Sequence, residues 1–191
     1  NLDAVCHNLN EIKKITDKSV KIMAMVKSDA YGHGVTELAK TLTENGVDYL
    51  GVACPTEALE IVEKNIKARI LIVGYTVKER VCELIKNDVE MTVFELSDAE
   101  YIDSVAKKLS KKAKIHIKLD TGMTRIGVPA YRENAVDIIK NIATLQNIEI
   151  IGMFTHFAKA DEEGEAATKE QFDLFMKVVN AAEKEGIHIP I

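Results

Sequence analysis

Tryptophan is absent from this 191-residue chain, cysteine and proline each occur three times, and aromatic residues make up only 5%. The cysteines, Cys6, Cys54 and Cys82, form no close pair and no metal-ligand spacing. That scatter argues against a disulfide framework and a cysteine zinc site, and fits reduced thiols in a cytoplasmic setting. Also lacking is any uncharged apolar run near the roughly 20 residues of a membrane span. No charged-then-apolar signal segment opens the chain. Basic clusters are missing as well: Lys+Arg 25 against Asp+Glu 30 leaves a net charge of −5. Without a basic patch, nucleic acid is not an expected partner. H-E-x-x-H, G-x-S-x-G, C-x-x-C and carboxylate clusters do not occur, so zinc and serine hydrolase chemistry find no support and no metal is expected.

What is present is a chain that is 47% hydrophobic and 29% charged, enough for one domain with a sizeable core. No Pro/Gly/Ser-rich linker or low-complexity tract marks an internal boundary, so residues 1–191 read as one domain. The chain begins Asn1-Leu2-Asp3 without Met and stops at Ile189-Pro190-Ile191, which reads like the entry to another strand. Both ends are expected to be cut.

Short β-branched runs alternate with longer segments of helical period. The apolar runs are Ile22–Val26, Tyr49–Cys54, Ile70–Gly74, Met91–Phe94, Ile115–Asp120 and Ile148–His156. A helix-like Leu2–Ile15 precedes them. Between and after them lie Val35–Asn45, Thr56–Lys64, Val77–Asn87, Asp98–Ser110, Tyr131–Leu145 and Thr168–Lys184. This alternation is the signature of βαβ units and a parallel sheet. Two architectures fit: a doubly wound open sheet, or a TIM-type (β/α) barrel of which about six of eight strands are present. In the fifth run His116, Lys118 and Asp120 share one face, and Ile115, Ile117 and Leu119 the other. Helices cover the outside of a barrel, so the polar set points inward. The first run puts Met23, Met25 and Lys27 together, and the sixth Ile150, Gly152, Phe154 and His156. Lys27, Lys118 and His156 then fall near the C-terminal ends of their strands, where barrel enzymes keep their chemistry. An open sheet usually shows a Gly-rich phosphate loop after its first strand. Here Lys27-Ser28-Asp29-Ala30-Tyr31-Gly32-His33-Gly34 is neither G-x-G-x-x-G nor a Walker loop.

Lys27 is the first residue with chemical potential. An amine desolvated in a barrel interior is expected to have a lowered pKa and to condense with a carbonyl. On position alone, a lysine snorkelling from a strand end is the commoner case. Arg125, in Asp120-Thr121-Gly122-Met123-Thr124-Arg125-Ile126-Gly127, offers a fork for a carboxylate or an aromatic oxygen, or else lies on a surface turn. Lys118, an inward cation close in sequence to Arg125, needs a negative partner or a chemical modification; on the residues alone, pairing with Asp120 is preferred. His156 is placed to stack on a flat ring or to serve structure, and His33 to bind or to close its turn.

Three segments together carry a resemblance. Val26 to Gly34 resembles the cofactor-lysine motif of bacterial alanine racemases, Lys118 to Gly127 their second signature, and Gly152-Met153-Phe154-Thr155-His156-Phe157-Ala158-Lys159-Ala160-Asp161 their third. They occur in the family's order, and the resemblance covers essentially the whole chain. The resemblance implies a barrel that holds pyridoxal 5′-phosphate as an aldimine on Lys27, whose freed amine acts as one of two bases at the α-carbon of alanine. Tyr31 would contact the cofactor phosphate, His156 would pack on the pyridine ring, and Arg125 would bind the phenolic oxygen and the substrate carboxylate. Lys118 matches a position that is often carbamylated. The resemblance further implies a cytoplasmic homodimer that interconverts L- and D-alanine for peptidoglycan. Strands seven and eight, the β-rich C-terminal domain and its second base are not in the sequence, so this piece is expected to bind cofactor weakly and not to racemise. A serine or broad-spectrum racemase, a decarboxylase sharing the barrel, and a non-catalytic pyridoxal-phosphate-binding barrel are the alternatives.

Overall fold

Helix α1 (Leu2–Ile15) starts where the Asn1 side chain accepts the Asp3 N–H at 2.9 Å, and Lys13 and Lys14 face the negative end of its dipole. It belongs to the first of two units, Asn1–Met91 and Thr92–Ile191, in a computed structural model that describes residues 1–162 and 166–191. The first unit continues with β1 (Met23–Met25), α2 (Lys27–Gly32), α3 (Val35–Glu44), β2 (Tyr49–Val52), α4 (Pro55–Glu63), β3 (Arg69–Ile72) and α5 (Val81–Lys86). It closes in β4 (Glu90–Val93), inside which the division falls.

The strands of the first unit are parallel and follow sequence order, β1-β2-β3-β4, with Met23 opposite Tyr49, Tyr49 opposite Arg69 and Leu71 opposite Glu90. A doubly wound sheet reverses order at a switch point; these four strands do not. Both faces of β2 are buried, as its unbroken apolar run requires in a parallel sheet. Leu50, Ile72, Ala39 and Ala58 have no exposed surface. At the strand starts, Arg69 Nε donates to buried Glu90 at 2.8 Å, and its guanidinium carbon lies 4.3 Å from the Tyr49 ring centre. Burial, and next the Glu90 charge, push the Tyr49 hydroxyl above its usual pKa.

The second unit holds α6 (Leu96–Lys108), β5 (Ala113–Asp120), β6 (Val128–Pro129), α7 (Ala135–Ala143), β7 (Ile148–Phe154) and α8 (Ala166–Lys184). Strand β5 pairs in parallel with β7 along its length and with β6 at its C-terminal end. The two faces expected of β5 are found: Ile115, Ile117 and Leu119 are fully buried, and His116, Lys118 and Asp120 are also enclosed, at 4%, 3% and 6% exposure. Gly152 of β7 makes room for His116: a Cβ there would lie 2.8 Å from its Nδ1. Strand β6 was not expected, because two residues are too few to show a period. It exists because Gly127, at φ +132°, lies against the end of β5, where a Cβ would meet the Asp120 nitrogen at 2.6 Å.

The other expected strands lie within two residues of those found. The expected helix Val77–Asn87 is a 3₁₀ turn, Lys78–Arg80, followed by α5. The expected helix Tyr131–Leu145 begins only at Ala135. Among the described residues, no helix is long and apolar enough to cross a membrane.

Candidate functional site

In the first unit β1 ends at Met25, and Lys27 opens the segment that follows it. Ser28, Asp29, Ala30 and Tyr31 all adopt left-handed helical dihedrals, with φ between 51° and 56° and ψ between 35° and 53°. For L-residues this conformation costs roughly 1–2 kcal/mol each, so the surroundings must impose it. They do so through hydrogen bonds. The Ala30 N–H donates to the Val26 carbonyl at 3.0 Å and the Gly34 N–H to that of Asp29 at 3.0 Å. Asp29 Oδ1 accepts the Val35 N–H at 2.6 Å and caps α3. The Ala30 methyl is buried, and Glu57 of α4 accepts the Ser28 N–H at 2.8 Å.

Lys27 is half-buried, its Nζ 5.9 Å from the centre of the exposed Tyr31 ring. The strand stops two residues earlier, at Met25, so Lys27 stands on the turn and not in the strand. Lys27 and Tyr31 are brought together. His33 sits with Nδ1 2.9 Å from the Ala30 carbonyl and closes the turn.

In the second unit Lys118 of β5 is buried. Its Nζ lies 5.0 Å from the centre of the Phe154 ring on β7. Burial, and then the positive charge of Arg125, hold its pKa below the usual value against the opposing pull of Asp120. Asp120 supplies a favourable charge to Lys118 and also holds the loop. Its Oδ1 accepts the N–H groups of Gly122 at 3.0 Å and Thr124 at 2.9 Å, two loop amides that turn back toward the strand end. Arg125 and His156 are both exposed, Arg125 on this loop and His156 just past the end of β7.

A polar net that the sequence reading missed ties these two segments together. Gln171 of α8, buried at 7%, accepts the Ala158 N–H at 3.0 Å and donates to Thr121 Oγ1 at 3.4 Å. The Thr121 and Thr155 hydroxyls are 2.8 Å apart, and Thr155 donates to the Leu119 carbonyl at 3.1 Å. The loop bearing Arg125 and the one bearing His156 thus share one clamp. A signal existed: Gln171 lies on the stripe of α8 that buries Val178 and Ala182, seven and eleven residues on. Glu57 was missed too, although an acid in the third position of a helix is placed to reach back to preceding amides. Its Oε2 accepts the Ala53 N–H at 2.7 Å.

The first unit offers a primary amine beside a phenol. The second separately offers an exposed guanidinium, an exposed imidazole and a buried lysine whose pKa is lowered by burial and by Arg125. Among the described residues no group of three or more His, Cys, Asp or Glu could hold a metal ion.

Known proteins match this chain over its whole length. The family model for the alanine racemase N-terminal domain matches residues 1–191. Alanine racemase 1 of Caldanaerobacter subterraneus subsp. tengcongensis is 44% identical over 190 residues, covering all of this chain and 49% of its own length. The alanine racemase of Methanococcus maripaludis is 44% identical, with 51% of it covered. Among solved structures, the Clostridium difficile 630 alanine racemase in complex with cycloserine superposes with a TM-score of 0.98 at 41% identity, covering all of this chain and 52% of that one. The Bacillus anthracis alanine racemase with bound L-Ala-P gives 0.88 at 33% identity, covering 99% of this chain and 48% of that one. The chain spans about half the length of the curated relatives it matches. The barrel-type fold class expected from the sequence is that of these structures, and the chain belongs to the alanine racemase N-terminal domain family.

Proposed function

We propose that residues 1–191 are the pyridoxal-phosphate-binding barrel domain of an alanine racemase, a small-molecule isomerase that interconverts L- and D-alanine. The observation that carries this reading is Lys27, placed at the C-terminal end of β1 on a turn whose backbone is fixed on every side. Bound there, pyridoxal phosphate supplies an aldehyde for the amine and a ring system that makes the α-hydrogen of an amino acid acidic. The chain's own residues divide the remaining work. Lys27 Nζ would hold the aldehyde group and, when free, would take or return the proton at the alanine α-carbon on one face. The Tyr31 hydroxyl would donate to the phosphate. His156 would pack against the ring. Arg125 would hold the phenolic oxygen and the substrate carboxylate through its fork of N–H donors.

Lys118 is the proposed carbamylation site. Its pKa is lowered by burial and by Arg125, so a larger fraction carries a free lone pair. That nitrogen attacks the carbon of CO2, loses one proton and becomes an anion able to pair with Arg125. The second base, and with it racemase turnover, is assigned to a part of the protein outside these residues, acting in a cytoplasmic homodimer whose D-alanine serves peptidoglycan. Nucleic acid is not assigned a part.

Proton NMR of L-alanine in deuterium oxide tests the reading. The full-length protein, loaded with pyridoxal phosphate, is expected to wash out the α-proton signal and form D-alanine, whereas residues 1–191 alone form none. Undiminished exchange in Lys27→Ala contradicts the assignment of Lys27.

A further inference from the structure

Lys27 has fixed backbone on both sides. Before it, the Val26 N–H donates to the Gly51 carbonyl of β2 at 2.8 Å. After it, the Ser28 N–H donates to Glu57 Oε1 at 2.8 Å. The other carboxylate oxygen of Glu57 takes the Ala53 N–H at 2.7 Å. One side chain of α4 thus bridges the segment after β1 and the segment after β2. Ordinary first-turn capping would use only the local amide at residue 53; the bond to Ser28 reaches 29 residues back along the chain. It also lands on the first residue of the left-handed run, where an L-residue most needs an external hold. A carboxylate accepting an amide makes a charge-assisted bond, stronger than a neutral one.

We propose that Glu57 is a positioning residue for Lys27: by gripping the Ser28 amide it maintains the left-handed turn and so fixes the direction in which the lysine amine is presented. The inference rests on the reading of Lys27 as an aldehyde-binding amine. It predicts that the strain of the turn and the bond from Glu57 offset one another, so that removing the strain removes the need for the bond.

Pyridoxal 5′-phosphate serves as the probe. The protein is mixed with it and reduced with borohydride at timed intervals, and labelling of each lysine is read by peptide mass spectrometry. Hydrogen exchange at Ser28 is followed in parallel without the probe. Glu57→Gln, which keeps one of two acceptor oxygens, is expected to slow labelling of Lys27 by about tenfold. Exposed Lys40 and Lys107 should label at unchanged rates, and exchange at Ser28 should quicken. Adding Ser28→Gly, which adopts positive φ freely, is expected to bring Lys27 labelling back to within about threefold of wild type. Wild-type labelling and wild-type Ser28 exchange in Glu57→Gln overturn the inference, as does a folded double variant that stays slow. If the single variant does not fold, the double variant decides; failure of both to fold makes Glu57 a residue of the fold and also overturns it. Should Lys27 of the wild type label no faster than Lys40, the aldehyde-binding reading fails. Unaltered Ser28 exchange in Glu57→Gln instead strikes at the Glu57 bond alone.

Discussion

The segment after β1, in the first unit, and the segment after β5, in the second, are held in opposite ways. After β1, four consecutive L-residues sit in the left-handed region, and a carboxylate from a neighbouring helix grips the first of them. After β5, positive φ falls mainly on glycines, Gly122 at 138° and Gly127 at 132°, with Thr124 at 56°. That loop is relaxed, capped by its own Asp120 and tied by the neutral amide of Gln171. A strained turn is rigid because every escape is blocked. A relaxed loop is rigid only as far as its hydrogen-bond net reaches. The proposed aldehyde-binding lysine, Lys27, stands on the first, and Arg125, the proposed carboxylate ligand, on the second.

The largest effect that would sharpen this contrast is Lys27→Ala, expected to lower α-proton exchange about 10²–10⁴-fold in the full-length protein while leaving Ser28 amide exchange unchanged. Next comes Gln171→Leu. It leaves the Ala158 amide and the Thr121 hydroxyl without their buried partner and should cost about 1–3 kcal/mol in denaturant unfolding, with faster exchange at Ala158. Equal loosening of the Ser28 amide in that variant would break the comparison.

Lys118→Met is expected to stabilise by about 1 kcal/mol near neutral pH in CO2-free buffer. The sign follows from linkage. The folded pKa of Lys118 is lowered from the usual 10.5. Below the folded value both states carry the proton, and the fold bears the full cost of a buried cation. As pH rises from the folded value toward 10.5 the unfolded chain binds more protons, so wild-type stability climbs relative to the variant. A Tm difference independent of pH across that window would remove the buried-cation account. The smallest effect is Ser28→Gly, expected to raise stability by about 0.5–1 kcal/mol, because glycine bears the left-handed conformation without a Cβ clash. In the relaxed loop Gly122→Ala should do the reverse, since its Cβ would lie 3.1 Å from Gln171 Nε2.

Much of this was legible in the residues. Alternating apolar runs located the longer strands, since burial on both faces demands such runs. The two faces of β5 and the face of β7 that sets Gly152 beside His116 and Phe154 beside Lys118 were readable from a period of two. The left-handed turn was not, because nothing in Ser28-Asp29-Ala30-Tyr31 favours positive φ apart from Asp29; tertiary bonds impose it. Glu57 and Gln171 read as ordinary helix polar residues, because their partners lie far away in sequence, at Ser28 and at Thr121. Strand β6 is a product of the close approach of Gly127, which composition does not encode.

The account stands on a single nitrogen forming the bond to the cofactor. Pyridoxal 5′-phosphate added to the full-length protein, reduced with borohydride and mapped by peptide mass spectrometry tests it most directly. One phosphopyridoxyl group per chain, on Lys27 and not on Lys118, is the predicted result. A label on Lys118, or labelling spread evenly over surface lysines, would contradict it.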